Sequence, residues 1–214
     1  MPFGFYIIMA AQFFSALADN ALLIAAIAAL RDMHAPSEYE PLLKTFFTVS
    51  YVALAAFVGA FADSMPKWRV MFISNAIKIA GCSMMFFGAH PLVAYAVVGL
   101  GAAAYSPAKY GILTEYLPHR LLVVANGWIE GLTVGAIILG VVIGGMLIKP
   151  EIAQMLLSFD VPLIDTGIDT PVKMSISIVG VLYVIASLFN LYVPDTGVDH
   201  KPLKKNPYYL AHEF

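Results

Sequence analysis

Six apolar runs, each about 20 residues long and separated by short polar connectors, limit this chain more than any other feature, because in hydrocarbon only a helix or a closed barrel satisfies its own backbone. A sliding window of about 20 residues centres them at about 5–30, 43–62, 70–88, 91–113, 126–148 and 174–193. They are rich in Ala, Leu, Ile and Gly and lack the two-residue alternation of barrel strands, so each is expected to be a helix. With 60% apolar and 12% charged residues, the chain reads as an integral membrane protein. The expected architecture is all-α, a six-helix transmembrane bundle over 1–194 followed by a cytoplasmic tail or linker over 195–214. The first run has no basic leading region and no small-residue cleavage site, which makes it a membrane helix and not a secretory leader.

Lys and Arg set the orientation. With the N-terminus in the cytoplasm, Lys67, Arg69, Lys109, Arg120, Lys201, Lys204 and Lys205 lie inside, against Arg31, Lys44, Lys149 and Lys173 outside. Both termini are therefore expected in the cytoplasm. The connector over 150–173 carries Pro150, Pro162 and Pro171 and an amphipathic piece from Ile152 to Phe159, suited to the membrane surface.

Charges inside the apolar runs mark the candidate site. Asp19 and Asn20 lie near the middle of the first run, and Gln12, Ser15 and Asp19 fall at i, i+3 and i+7, on one helical stripe. A carboxylate at that depth costs about 2.5–3.5 kcal/mol on insertion scales, so this stripe is expected to face protein or a water-filled cavity. Lys78 lies at mid-depth in the third run with Asn75 on the same face, and Glu130 lies one turn inside the fifth. Helical rise puts Asp19 and Lys78 within a few ångströms of the same depth, so they can pair; Lys109 with Glu130 is a second pairing.

The connector after the second run reads Gly59-Ala-Phe-Ala-Asp63-Ser-Met-Pro-Lys67-Trp-Arg69. A glycine one turn before the aspartate admits a neighbouring helix, and the aspartate closes the helix beside two cations. This resembles the loop 2–3 signature of the major facilitator superfamily, G-x-x-x-D-(R/K)-x-G-(R/K)-(R/K), with Ser64 in place of the first basic residue and Pro66 in place of the second glycine. Gly127, Gly131 and Gly135 recur every four residues in the fifth run. Gly140-Val-Val-Ile-Gly144-Gly145 then resembles the superfamily's G-P-x-x-G-G motif, with Val141 where proline is expected. The fourth run, from Gly99 through Tyr105-Ser-Pro107-Ala-Lys109-Tyr110-Gly, places a helix-breaking proline and a lysine near its inner end. Together with Ser15-Ala-Leu-Ala-Asp19-Asn20, these stretches resemble the bacterial lysophospholipid transporter branch of that superfamily over most of residues 10–148.

The resemblance implies the N-terminal half of a major-facilitator fold, a 3+3 inverted repeat. It further implies transport of lysophosphatidylethanolamine-type lipids across the bacterial inner membrane. By this resemblance Asp19 would be the counter-charge for the ethanolamine ammonium or a gating partner, and Lys109 would suit the phosphodiester; Asn20 and Tyr110, with Lys78 and Glu130 from the buried charges above, complete the expected substrate set. Gly59, Asp63, Lys67, Arg69, Pro107, Gly140, Gly144 and Gly145 would serve gating and packing. Transporters of this fold have twelve helices in two halves. The expected partners are therefore membrane lipids, a lysophospholipid substrate and a second six-helix half, a homodimer mate or other membrane subunits. The alternative is a transport-inactive half serving as an accessory or scaffold subunit of a larger membrane complex. Paired carboxylates, His-Glu-x-x-His and nucleophile elbows do not occur, so catalysis is not expected. The five histidines are scattered without ligand spacing, so neither metal nor cofactor is expected, and no basic stripe fits nucleic acid. Cys82, inside an apolar run, reads as a small buried hydrophobe.

Overall fold

The computed structural model describes residues 1–157 and 167–198. Six long helices form the bundle: α1 (Phe3–Asp32), α2 (Tyr39–Asp63), α3 (Lys67–Phe86), α4 (Pro91–Tyr116), α5 (His119–Leu147) and α7 (Pro171–Leu191). A short helix, α6 (Pro150–Leu157), lies between α5 and α7. Most of the cytoplasmic tail expected from the sequence, 199–214, lies outside the described residues, as do 158–166 of the connector.

Proline punctuates the helix starts. Pro2, Pro66 and Pro118 precede α1, α3 and α5, and Pro91 and Pro171 open α4 and α7, where a missing N–H costs nothing. At the last two, side chains cap the first turn: the Leu92 N–H donates to His90 Nδ1 at 3.3 Å and the Lys173 N–H to Thr170 Oγ1 at 3.2 Å. Pro107 sits within α4, which nevertheless continues to Tyr116.

Among the described residues five helices, α1, α2, α4, α5 and α7, are long and apolar enough to cross a membrane. This is one fewer than the six expected from the sequence. α3 has 20 residues but stays outside that set, since Lys67, Arg69, Asn75 and Lys78 dilute its apolar content. Its polar residues turn inward: Ser74, Asn75 and Lys78 are all buried.

Packing follows an internal two-fold pattern. α1 packs on α5 and α7, α4 packs on α2 and α3, and α3 meets α7. Exchanging α1 with α4, α2 with α5 and α3 with α7 returns these principal contacts to themselves. Because each repeat unit has three helices, its two copies begin at opposite ends of the bundle, giving an inverted repeat. α1 and α4 are the most enclosed, whereas α2 and α5 carry exposed apolar residues such as Val52, Phe57, Val123 and Ile138.

Glycine sets the closest approaches. A Cβ on Gly140 would stand 2.6 Å from the Leu17 carbonyl oxygen and one on Gly144 3.0 Å from that of Ala21, so both draw α5 onto α1. Gly101 does the same between α4 and α3. Among the described residues, a Cβ on Gly145, expected to share the packing role, would meet nothing within 4 Å, and neither would one on Gly127, Gly131 or Gly135. The i+4 spacing of that stripe turns it away from α1. Gly140→Ala is accordingly expected to destabilise the protein by about 1–3 kcal/mol by forcing α1 and α5 apart. Gly131→Ala should be neutral or slightly stabilising, within about 1 kcal/mol, through helix propensity. Thermal unfolding of both variants in detergent checks the contrast.

Candidate functional site

A cavity of about 320 Å³ opens among α1, α2, α3, α4 and α5. At its centre the Lys78 ammonium lies 2.7 Å from Asp19 Oδ2. The pairing that depth alone made available is therefore formed, with the Lys78 side chain 2% exposed and that of Asp19 15% exposed. The Tyr183 hydroxyl of α7 donates to Asp19 Oδ1 at 2.8 Å, and the Tyr95 hydroxyl to the Asp19 carbonyl at 3.2 Å. Lys78 also donates to Ser15 Oγ at 2.9 Å, and Ser15 in turn to Asn75 Oδ1 at 2.8 Å. The Tyr105 and Tyr183 rings lie 5.1 and 5.8 Å from the ammonium, adding cation–π attraction where water is scarce. Four helices thus converge on one ion pair.

The rest of the α1 stripe behaves as its spacing predicts. Gln12 Nε2 donates to Thr133 Oγ1 of α5 at 3.0 Å, and Gln12, Ser15 and Asp19 all line the cavity. Asn20 lines it too, while its amide nitrogen donates to the Ala16 carbonyl at 2.8 Å.

Lys109 lines the cavity, but its expected pairing with Glu130 is not formed. Glu130 Oε1 instead accepts from the Tyr110 hydroxyl at 2.5 Å, on an exposed face, and the Lys109 ammonium lies 4.4 Å from the Tyr110 ring centre. Tyr110 and Glu130 are not among the cavity-lining residues. The i+1 step from Lys109 to Tyr110 separates their directions around α4, so Lys109 lines the cavity while the Tyr110 hydroxyl turns outward to Glu130, the ammonium resting against the Tyr110 ring between them. Among the described residues Lys109 has no carboxylate in ion-pair range, although it is mostly buried.

A second polar cluster sits at the end of the bundle that holds the N-terminus. Asp63 ends α2, and Lys67 donates to Asp63 Oδ1 at 2.6 Å and to the Ala62 carbonyl at 2.8 Å. Glu115 of α4 approaches the same ammonium at 3.4 Å and accepts from the Thr196 hydroxyl at 2.8 Å. One buried lysine therefore ties together the ends of α2, α3 and α4 and the stretch of chain after α7. Arg69, expected beside Asp63, turns outward over the Trp68 ring at 5.1 Å. Gly59 lies in α2 one turn before Asp63.

Sequence reasoning missed Tyr95, Tyr183, Glu115 and Lys44 as participants. Of these, Tyr183 left a weak signal, a hydroxyl-bearing ring at mid-depth of an apolar run, and Tyr95 a weaker one, about one turn inside its own. Among the described residues no group of three or more His, Cys, Asp or Glu side chains is placed to hold a metal ion.

The comparisons with known proteins agree with this architecture. The family model described as Major Facilitator Superfamily matches residues 8–207. A protein of Yersinia enterocolitica named lysophospholipid transporter LplT is 40% identical over 191 residues, covering 89% of this chain and 42% of its own length. A protein of the same name from Serratia proteamaculans is 38% identical over 207 residues, covering 97% and 47%. The chain thus spans under half the length of these curated relatives. In fold it resembles the crystal structure of the POT family transporter PepTSo, with a TM-score of 0.64 at 14% identity, over 97% of this chain and 40% of that one. An inverted three-helix repeat around a charged central cavity, together with the family match over nearly the whole chain, makes this protein a member of the major facilitator superfamily.

Proposed function

We propose that this chain is the N-terminal half of a lysophospholipid transporter of the bacterial inner membrane, with both termini in the cytoplasm. The observation that carries the reading is the cavity itself, which holds an Asp19–Lys78 pair and a Lys109 ammonium with no ion-pair partner among the described residues. The names of the relatives and the distribution of Lys and Arg support it.

A lysophosphatidylethanolamine headgroup carries a phosphodiester anion and an ammonium a few bonds apart. The Lys109 ammonium receives the anion. The lipid ammonium competes with Lys78 for Asp19, whose second oxygen stays held by Tyr183. Binding therefore exchanges one buried ion pair for another, and neither charge is left bare in low dielectric. The acyl chain stays among apolar side chains and lipid. A second six-helix half packs on the exposed faces of α2 and α5, closing the cavity, and rocking of the halves alternates access. α3 acts as the sixth span, its polar face turned to the cavity.

Uptake of labelled lysophosphatidylethanolamine by proteoliposomes containing the native polypeptide tests this. Lys109→Ala is expected to lower the transport rate at least tenfold. Absence of uptake by the unaltered protein would overturn the function, and unchanged uptake by both Asp19→Ala and Lys109→Ala would overturn the site.

A further inference from the structure

Lys44 combines three features that the exchange of ion pairs around Asp19 does not use. It lines the central cavity from α2, on the stripe it shares with Phe47, Thr48 and Tyr51 at i+3, i+4 and i+7. That stripe is held in place: a Cβ on Gly99 of α4 would stand 2.8 Å from the Phe47 carbonyl oxygen, and the Ser50 hydroxyl donates to the Ala96 carbonyl at 2.9 Å. Lys44 also lacks the carboxylate that local rules assign to it. Glu40, one turn earlier, is its natural partner on an isolated helix. The fold diverts Glu40 to Arg31 of α1, whose guanidinium holds both carboxylate oxygens at 2.8 and 3.1 Å.

Lys109 is likewise left without an acid partner among the described residues, since the Tyr110 hydroxyl takes Glu130, although this lysine shares its helix with the hydroxyl donor and not with the acid. Arg31–Glu40 links α1 to α2 and Tyr110–Glu130 links α4 to α5, and these helix pairs exchange under the internal two-fold. In both repeats an acid next to a cavity lysine is thus engaged elsewhere. The charged residues lining the cavity are Asp19, Lys44, Lys78 and Lys109. With Asp19 and Lys78 paired, two ammonium groups remain without an ion-pair partner among the described residues.

α2 and α4 run in the same direction, and Phe47 lies level with Gly99. Lys44 is three residues to one side of that level and Lys109 ten to the other, a separation of about 20 Å along the bundle at helical rise. We propose that Lys44 is a phosphate-recruiting residue at the end of the cavity opposite the N-terminus, the first of two cationic stations that pass a lipid phosphodiester along the cavity to Lys109. This rests on the lysophospholipid reading and adds to it an entry site and a direction. Exposure fits Lys44 for recruitment, since a solvated ammonium attracts the anion without holding it, whereas the enclosed Lys109 binds more tightly. On the proposed topology the first station faces the outer leaflet.

Initial rates of lysophosphatidylethanolamine uptake by proteoliposomes of the native polypeptide, as a function of lipid concentration, provide the test. Lys44→Gln is expected to raise KM at least fivefold with the maximal rate within twofold. Lys44→Arg should restore KM, and raising salt from about 50 to about 500 mM should shrink the difference between the unaltered and Lys44→Gln proteins by screening. Binding of a monoacylglycerol, which has the chain but no phosphate, should be equal in the two. An unchanged KM for Lys44→Gln with transport otherwise intact would overturn the Lys44 assignment and leave the transport reading standing. Equal losses for the phosphate-bearing and phosphate-free lipids would also overturn it, by showing general damage. Inorganic phosphate competing as well as the lysolipid would mark a free-anion site and overturn the lipid assignment. No transport by the unaltered protein would remove the transport reading, and this inference with it.

Discussion

Replacing Lys78 with alanine is expected to destabilise the bundle by about 3–5 kcal/mol, because it strands the Asp19 carboxylate in a site built around a cation. The Tyr183 hydroxyl still donates to the carboxylate, but a hydrogen bond does not cancel its charge. The double replacement of Asp19 and Lys78 by leucine should recover most of the loss, since a buried pair contributes little net stability against a well-packed apolar substitute. Transport should stay absent in both variants. Equilibrium unfolding in mixed micelles measures the stabilities, and a double variant no more stable than Lys78→Ala would contradict the account.

Gly101→Val carries the second large effect, about 3 kcal/mol, by overpacking the α3–α4 contact. A Cβ at Gly101 would stand 2.6 Å from the Ser74 carbonyl oxygen and 2.7 Å from Lys78 Cγ. Backbone cannot yield cheaply at the first of these, so α3 must move, and Lys78 moves with it. The substitution should therefore disturb the Asp19–Lys78 pair without touching either charge. Cross-linking of cysteines placed across α3 and α4 should fall along with thermal stability. Stability equal to that of the unaltered protein would show that the two helices are not held this closely.

The sequence made depth legible and left facing largely hidden. Asp19 and Lys78 could be matched because distance along a helix counts residues, and both lie within their apolar runs. The stripe of Gln12, Ser15 and Asp19 could be assigned to the interior because spacing fixes angle within one helix. Which residue of another helix answers a charge depends on how the helices are rotated against one another, and no local pattern encodes that. Tyr183 reaches Asp19 across 164 residues of chain and Glu115 reaches Lys67 from the far end of α4. Glu130 met the depth requirement for Lys109 and Glu40 met the spacing requirement for Lys44, yet both turn to other partners. The glycines divide the same way: Gly140 and Gly144 lie on the face toward α1, and the stripe from Gly127 to Gly135 does not.

The long sequence gap within the central ion pair bears on how the protein is made. Asp19 and Lys78 are 59 residues apart, and the chain emerges from the ribosome N-terminus first. At about 5–20 residues per second, α1 reaches the insertion machinery roughly 3–12 s before its cation is synthesised. During that interval its carboxylate has no partner in the bilayer, at a cost of about 2.5–3.5 kcal/mol. α1 is therefore expected to linger beside the translocon until α3 arrives, which makes release of the first segment into lipid dependent on the third.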